Sequence, residues 1–223
     1  MEQGFQILPA VIAGCQVADL NREFTHLAES GAAGIRGLLT SNLVVRDLAS
    51  SAELLALANL ALPAQAFAVR AILFDKMPGT NWKVPWHQDL AVALAEKRDV
   101  DGFHRWSVKD GVPHAHAPVG LLERMITLRL HLDDCPAGNG ALRVLPGSHL
   151  HGKLSAADIT EWRQRVPEVV CELPAGGVLL MRPLLLHASS ASTRPGHRRV
   201  LHLEYASDDL PGGLLWAEGE GPG

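Results

Sequence analysis

The sequence predicts a mainly β protein with a double-sheet jelly-roll core and flanking N-terminal helices. Between residues 66 and 206, eight short apolar or alternating runs are separated by turns that contain glycine or proline. This pattern is typical of an antiparallel sandwich or barrel. The residues before position 66 instead repeat apolar side chains at helical spacing. The length of 223 residues suits one all-β domain, and we predict a single domain over 1–223.

A helical N-terminal part is predicted over residues 1–65. Residues 17–30 place apolar side chains three and four positions apart, which is the spacing of one helix face. Residues 51–62 are rich in leucine and alanine after a Ser-Ser-Ala-Glu start that can cap a helix. A third helix, over 155–165, is expected to interrupt the strands.

The jelly-roll core is predicted over residues 66–210. Its runs are short, and no long helix separates them, which favours two packed antiparallel sheets over a parallel sheet. The expected strands are 66–76, 84–93, 124–133, 140–146, 168–173, 177–182, 184–189 and 198–206.

Residues 95–123 stand out as a long polar segment with little periodicity. Segments of this kind in a compact domain are usually functional or disordered. Because the segment directly follows the strand 84–93, we interpret it as a lid over the site described below. Its His114 and His116 are expected to be exposed to solvent and not to bind metal.

The charge and cysteine content exclude several classes of function. The net charge of -4 does not favour binding to nucleic acid or to an anionic membrane surface. Three separated cysteines without a CxxC pair favour reduced thiols and a cytoplasmic protein. The sequence shows no signal peptide and no run long enough to span a membrane. It leaves the oligomeric state open.

The segment Val84-Pro-Trp-His-Gln-Asp-Leu predicts a metal site. On a strand, His87 and Asp89 point to the same side because side chains alternate. His187, at the end of the apolar run Leu184-Leu-Leu, is the best candidate for a third ligand. Two histidines and one carboxylate on one face of an octahedron leave three positions open, as in Fe(II) oxygenases.

A second His-x-Asp pair, His131 and Asp133, competes with the first. The number of strands between each pair and His187 favours His87 and Asp89. Asp133 also adjoins a turn-rich run. We therefore expect His131 to face the cavity near substrate or ligands without binding the metal.

Arg198 follows His187 by eleven residues, across a Thr-Arg-Pro-Gly turn. If the runs 184–189 and 198–206 form a hairpin, Arg198 enters the cavity beside His187. A guanidinium fork suits a carboxylate, such as the distal one of 2-oxoglutarate chelated to iron. Ser189 lies on the same face as His187 and can add a hydroxyl group.

The chain resembles the phytanoyl-CoA dioxygenase family of Fe(II)/2-oxoglutarate enzymes. The likeness covers most of the chain, and its specificity comes from the order and spacing of the motifs. These are the opening Gly4-Phe-Gln-Ile-Leu-Pro, Trp86-His-Gln-Asp, the run Asn139-Gly-Ala-Leu-Arg-Val-Leu-Pro-Gly-Ser-His, and His187 followed by Arg198. One departure is Gly176-Gly177, where family members often have Gly-Asp.

This resemblance implies a double-stranded β-helix, cupin-like core with iron on His87, Asp89 and His187. It implies that Arg198 and Ser189 bind 2-oxoglutarate. The expected reaction consumes O₂, with ascorbate as a candidate reductant, and hydroxylates an unactivated C–H bond of a small organic substrate with release of succinate and CO₂. Because Asp89 is present, halogenation is not expected.

Other cavity residues are assigned from strand parity alone. In the run 124–133, Thr127 and Arg129 share a polar face that can contact 2-oxoglutarate or substrate, although an internal salt bridge explains Arg129 equally well. Lys83 shares the face of His87 and is a further candidate. Three tryptophans are candidates for an apolar wall: Trp82, Trp86 and Trp106.

Two alternatives remain open from the sequence. A cupin-like metal enzyme that does not use 2-oxoglutarate would share the barrel and the metal ligands. A non-catalytic ligand-binding barrel would share only the fold, since one fold hosts many functions. An intact triad together with Arg198 argues against the second alternative.

Overall fold

The computed structural model describes residues 1–28, 34–76, 81–193 and 196–219. The predicted end of the first helix at residue 30, Arg194 of the predicted turn, and the last four residues lie outside these ranges. Helices α1 to α6 span Gly14–Ala28, Leu38–Ser41, Leu43–Ala49, Ala52–Asn59, Val119–Leu122 and Ala156–Arg165. Strands β1 to β13 span Phe5–Leu8, Gly34–Ile35, Phe67–Asp75, Val84–His87, Ala91–Ala93, His104–Lys109, Val112–His116, Met125–His131, Leu142–Val144, Val169–Cys171, Val178–Met181, His187–Ser189 and Arg199–Ala206.

Two antiparallel sheets form the core and confirm the predicted jelly roll. The larger sheet has the strand order β1-β11-β8-β13-β3-β2, and the smaller has the order β10-β9-β12-β4. An apolar cluster between them joins Leu142 and Val144 of the smaller sheet to Leu179 and Met181 of the larger. The sheets therefore pack face to face, with a cavity at one side of this cluster.

The larger sheet is apolar on its outer face, where the N-terminal helices cover it. Leu128 and Leu203 of adjacent strands join one buried cluster with Phe24 of α1 and Leu54 of α4. Tyr205 lies in the same cluster, and its hydroxyl donates to the Ala49 carbonyl at 2.9 Å. The alternation predicted for the run 124–133 thus holds, with leucines against the helices and polar residues towards the other sheet.

The predicted strand 84–93 is divided in two. Strand β4 pairs with β12 in the smaller sheet, whereas β5 pairs with β7 in a separate three-stranded sheet. Between them the Asp89 amide donates to the Pro183 carbonyl at 2.9 Å. The chain changes sheet partners here, and the sequence of this short run does not reveal such a change.

Residues 95–123 contain a β-hairpin, contrary to the predicted irregular segment. Strands β6 and β7 pair through the turn Asp110-Gly111, whose φ angles are 49° and 80°. Positive φ at both central positions is characteristic of a type I′ hairpin turn, for which Asp-Gly is a favoured sequence. The Asp-Gly pair is thus a local sequence signal for this hairpin.

The predicted hairpin between residues 184–189 and 198–206 is wrong. Strand β12 belongs to the smaller sheet and β13 to the larger, so the connection crosses between the sheets. Such crossings are the normal connection of a double-sheet jelly roll. In the described ranges, no helix is both long enough and apolar enough to cross a membrane.

Candidate metal centre

The two predicted histidines lie opposite each other on neighbouring strands. His87 of β4 and His187 of β12 are directly paired in the antiparallel register, and their ring centroids are 4.1 Å apart. Asp89 follows β4, where its backbone bond to Pro183 fixes it after the strand ends. The structure therefore brings the three predicted residues together at one end of the smaller sheet.

The three side chains converge, with both carboxylate oxygens of Asp89 facing an imidazole nitrogen. Asp89 Oδ1 lies 3.5 Å from His87 Nε2, and Asp89 Oδ2 lies 3.5 Å from His187 Nε2. Each Nδ1 lies 2.9 Å from a backbone carbonyl, that of Pro85 for His87 and that of Leu185 for His187. If each Nδ1 carries the proton and donates it, both Nε2 lone pairs face Asp89, as metal ligation requires.

The ionisation states of His187 and Asp89 also favour the binding of a cation. Burial lowers the pKa of His187 to about 4, in spite of the adjacent carboxylate. Burial opposes ionisation of Asp89, but the two imidazole rings hold the pKa of this carboxyl well below its usual range. The site at neutral pH therefore offers a neutral buried imidazole and an ionised carboxylate. One donor atom from each of the three residues lies within 4.8 Å of the others.

The competing pair does not form a second site. Asp133 is held by Arg199, with contacts of 2.7 and 2.9 Å from two guanidinium nitrogens. His131 is buried, and burial and the neighbouring Arg129 lower its pKa to about 3. In the described part of the chain, His87, Asp89 and His187 are the one group of three such residues that could hold a metal ion.

Arg198 and Ser189 lie beside this centre, as predicted. Both side chains line the same cavity as the three candidate ligands, and both are buried. Arg198 Nη1 and Ser189 Oγ donate to the Gly140 carbonyl at 2.6 and 3.1 Å. A side chain at Gly140 would bring its Cβ within 2.6 Å of the Ser190 carbonyl, so glycine permits this close approach.

Lys76 is a buried cation that the sequence analysis missed. Its Nζ donates to Ser189 Oγ at 2.7 Å and to the Ser190 carbonyl at 2.8 Å, and it lies 5.3 Å from the centre of the Trp82 ring. Burial, reinforced by Arg198 and Arg129, lowers the pKa of Lys76 to about 7. The sequence signal for this residue is a lysine at the end of an apolar strand, a position where a charged side chain needs a polar partner.

Arg129 faces the cavity from β8 and begins a buried polar chain. Arg129 Nη1 lies 2.8 Å from His202 Nδ1, and His202 Nε2 lies 3.1 Å from Glu204 Oε1. Arg70 Nη1 contacts the same carboxylate oxygen at 3.1 Å. Since Arg129 can only donate, His202 accepts at Nδ1 and donates at Nε2. His202, Glu204 and Arg70 also line the cavity, and the sequence patterns predict none of these three positions.

Several predicted residues lie elsewhere. Lys83 is exposed, and Thr127, although buried, does not line the cavity. Of the three tryptophans, Trp82 lines the cavity, whereas the Trp86 ring lies 5.5 Å from the Arg143 guanidinium.

The predicted exposure of the HxH pair is wrong. His114 is fully buried and His116 is partly buried, because β7 is the central strand of its three-stranded sheet. His116 lines the cavity. Neither residue belongs to the group of described residues that could hold a metal ion.

The cavity has a volume of about 330 Å³, enough for a small organic molecule. Both sheets and the β6–β7 hairpin contribute to its walls. His87 and His187 lie on the smaller sheet and Asp89 directly after β4, whereas the cationic side chains lie mainly on or next to strands of the larger sheet.

Comparisons with known proteins agree with this architecture. The family model for phytanoyl-CoA dioxygenase matches residues 4–200. AviO1 from Streptomyces viridochromogenes Tue57 is 23% identical with a TM-score of 0.68, covering 94% of this chain and 92% of its own. The epimerase SnoN, in complex with Fe3+, alpha ketoglutarate and nogalamycin RO, is 17% identical with a TM-score of 0.70, covering 95% and 87%.

A third similar structure is EctD from S. alaskensis with bound Fe. It is 20% identical to the chain with a TM-score of 0.73, covering 94% of this chain and 75% of its own. A search of curated protein sequences found no significant match.

Proposed function

The chain belongs to the phytanoyl-CoA dioxygenase family, and from that premise we propose that it is an Fe(II)- and 2-oxoglutarate-dependent oxygenase that hydroxylates a C–H bond of a small organic molecule. His87, Asp89 and His187 would hold the metal. When bound, Fe(II) and 2-oxoglutarate supply the activation of O₂, in which one oxygen atom enters succinate, the other enters the substrate, and CO₂ is released.

The donor set fits Fe(II). Two imidazole nitrogens and one carboxylate form the facial arrangement of non-haem iron oxygenases. The bonds of both Nδ1 atoms to backbone carbonyls fix the rings, and bonds of this kind orient ligands and raise their basicity. Asp89 keeps its charge, so the protein contributes one negative charge to a divalent ion.

The observation that carries the proposal is a group of buried cations without a carboxylate partner. Arg129, Arg198 and Lys76 are all buried at the cavity. Among the described residues, none of the three forms a salt bridge with a carboxylate. Burying unpaired charge is costly, and 2-oxoglutarate, a dianion that chelates the adjacent metal, would neutralise it.

In this arrangement each residue has a distinct task. Arg198, Ser189 and Lys76 would bind the distal carboxylate, because they surround one small region that is closed by Gly140. Lys76 would hold its proton once the carboxylate is bound, and the buried walls would exclude water. Hydroxylation is the reaction we favour within the family, although a similar fold also serves the epimerase SnoN.

The metal assignment is tested with His187→Ala, which removes a buried candidate ligand. Anaerobic Fe(II) binding and succinate formation should both be lost, whereas His131→Ala should keep them because His131 is not in the cluster. Wild-type iron affinity in the His187→Ala variant would contradict the assignment.

The 2-oxoglutarate assignment is tested with Arg198→Gln. This variant should still bind iron but bind 2-oxoglutarate about tenfold to hundredfold more weakly, as expected for loss of a charged hydrogen bond. Unchanged 2-oxoglutarate affinity, with iron still bound, would favour the cupin-like alternative.

A further inference from the structure

More cationic than anionic side chains line the cavity, and binding of the metal and cosubstrate would not remove this excess. Two carboxylates, those of Asp89 and Glu204, line it in the described part of the chain. Fe(II) carries two positive charges and 2-oxoglutarate carries two negative charges. Together they leave the excess of positive charge in the cavity unchanged. A confined site with an excess of one charge attracts ligands of the opposite sign. The six cationic side chains that line it are Arg36, Arg70, Lys76, Lys109, Arg129 and Arg198.

These cations form two groups. Lys76, Arg129 and Arg198 interact with one another through charge, and the proposed function assigns this group to 2-oxoglutarate. The cations that act on Lys109 are instead Arg70 and Arg36, and the carboxylates of Asp89 and Glu204 partly offset them. We call this second group, Arg36, Arg70 and Lys109, the outer basic group.

The hairpin contributes Lys109 to the outer basic group. Lys109 is the last residue of β6 and pairs with Val112 across the Asp110-Gly111 turn. Next to it, Asp110 Oδ2 forms an ion pair with Arg36 Nη1 at 2.8 Å. This contact fixes the tip of the hairpin at the cavity. Lys109 lines the cavity and is exposed to solvent, so it lies at the opening of the cavity.

Lys109 is the member of the outer basic group whose side chain has no ion-pair partner among the described residues. Arg70 is paired with Glu204 and Arg36 with Asp110. The side chain of Lys109 has no hydrogen bond or ion pair with any residue that the structure describes, and Asp89 and Glu204 act on it only through charge. Partial burial and the two nearby arginines lower its pKa. An anion at this position would be stabilised by Lys109 without breaking an existing ion pair.

We propose that the substrate carries an anionic group, a carboxylate or a phosphate, which Lys109 binds at the opening of the cavity with Arg36 beside it. This proposal rests on the proposed function, since it takes the deep end of the cavity as the 2-oxoglutarate site. The substrate would then extend from Lys109 towards the metal centre. Lys109 is a specificity-determining residue in this scheme.

The test uses protein loaded with Zn(II), which is not redox-active, and saturated with 2-oxoglutarate. Calorimetric titrations compare three probes of equal chain length: hexanoate, hexyl phosphate and hexanamide. At least one anionic probe should bind about tenfold more tightly than the neutral amide, as expected for a charged hydrogen bond. The tighter of the two anions identifies the group.

Two variants assign the preference to its residue. Lys109→Gln should abolish most of the preference for the anion, whereas Lys97→Gln, at an exposed lysine outside the cavity, should retain it. Equal binding of anions and amide, an anion preference that survives in Lys109→Gln, or displacement of 2-oxoglutarate by the anion would overturn the proposal. Failure of the proposed function would give a different result, because 2-oxoglutarate itself would then not bind in the titration that precedes the probes.

Discussion

At the scale of single residues, backbone contacts decide what the side chains can do. His87 and His187 each direct Nδ1 at a carbonyl two residues earlier, so a local contact leaves each Nε2 directed at Asp89. Lys76 is different, because its environment is built from remote residues. Its pKa falls to about 7 since burial and the nearby Arg198 and Arg129 disfavour its charge.

This lowered pKa predicts a pH dependence of cosubstrate binding. Below about pH 7 Lys76 is already charged, and 2-oxoglutarate binding should not depend on its titration. Above that pH, binding must take up a proton, because the bound carboxylate stabilises the charged amine. The affinity of Zn(II)-loaded protein for 2-oxoglutarate should therefore fall between pH 7 and pH 9, by at most about tenfold per pH unit.

The matched variant is Lys76→Met, which cannot titrate. Its 2-oxoglutarate affinity should be weaker at pH 7 and nearly constant up to pH 9, as measured by calorimetry. The same pH slope in this variant and in the wild type would assign the dependence to another group.

At the scale of elements, turns and caps follow local sequence, whereas strand partners do not. Helix α6 begins with a capping box in which Ser155 Oγ accepts from the Asp158 amide at 3.2 Å, and Asp158 Oδ2 accepts from the Ser155 amide at 2.8 Å. None of the α6 side chains is buried. Since core packing contributes little to the stability of this helix, its N-terminal cap should contribute a larger share of that stability than usual.

Ser155→Ala should therefore loosen α6 without unfolding the domain. Loss of an N-cap side chain is expected to speed amide exchange in the first two turns of the helix about fivefold. Thr160→Ala, which removes a hydroxyl that donates to the Ala156 carbonyl inside the same helix, is the control and should change exchange much less. Hydrogen exchange measured by mass spectrometry distinguishes the two outcomes.

At the scale of the whole molecule, the two faces of the larger sheet have different surroundings. Its outer face joins the helices through a continuous apolar cluster, and its inner face presents Arg70, Arg129, His202 and Glu204 to the cavity. The buried ion pair on the inner face is weak evidence for stability, since apolar residues often replace such pairs without loss. The apolar outer face therefore serves to hold the helices on the sheet, whereas the polar residues of the inner face line the candidate site.

Leu203 is fully buried in the outer cluster, and Leu203→Ala should lower the free energy of unfolding by about 2–5 kcal/mol. Leu60, with an exposure of 76%, is the control, and Leu60→Ala should change it by less than about 0.5 kcal/mol. Denaturant titration measures both. Equal effects would show that the helices add little to the stability of the sheet.

The sequence by itself determined the features that depend on local spacing. Alternation along strands put His87 with Asp89 and gave Arg129 to the cavity side, and the capped helices and most strands lie where their periodicity predicts. A one-residue change of register would move every side chain of a strand to the opposite face. An alternating pattern with one apolar face therefore indicates which side chains point to the core. These features supported the jelly roll and the candidate metal centre.

Only the tertiary structure decided which remote residues meet. Strand β12 pairs with β4, while β13 joins the other sheet, so Arg198 reaches the cavity by a crossing between sheets and not by a hairpin. The same packing brings Lys76 to Ser189 and Lys109 to the opening of the cavity, and it leaves Lys83 in solvent. These contacts depend on sheet pairing between segments far apart in sequence, which local hydrophobic patterns do not specify.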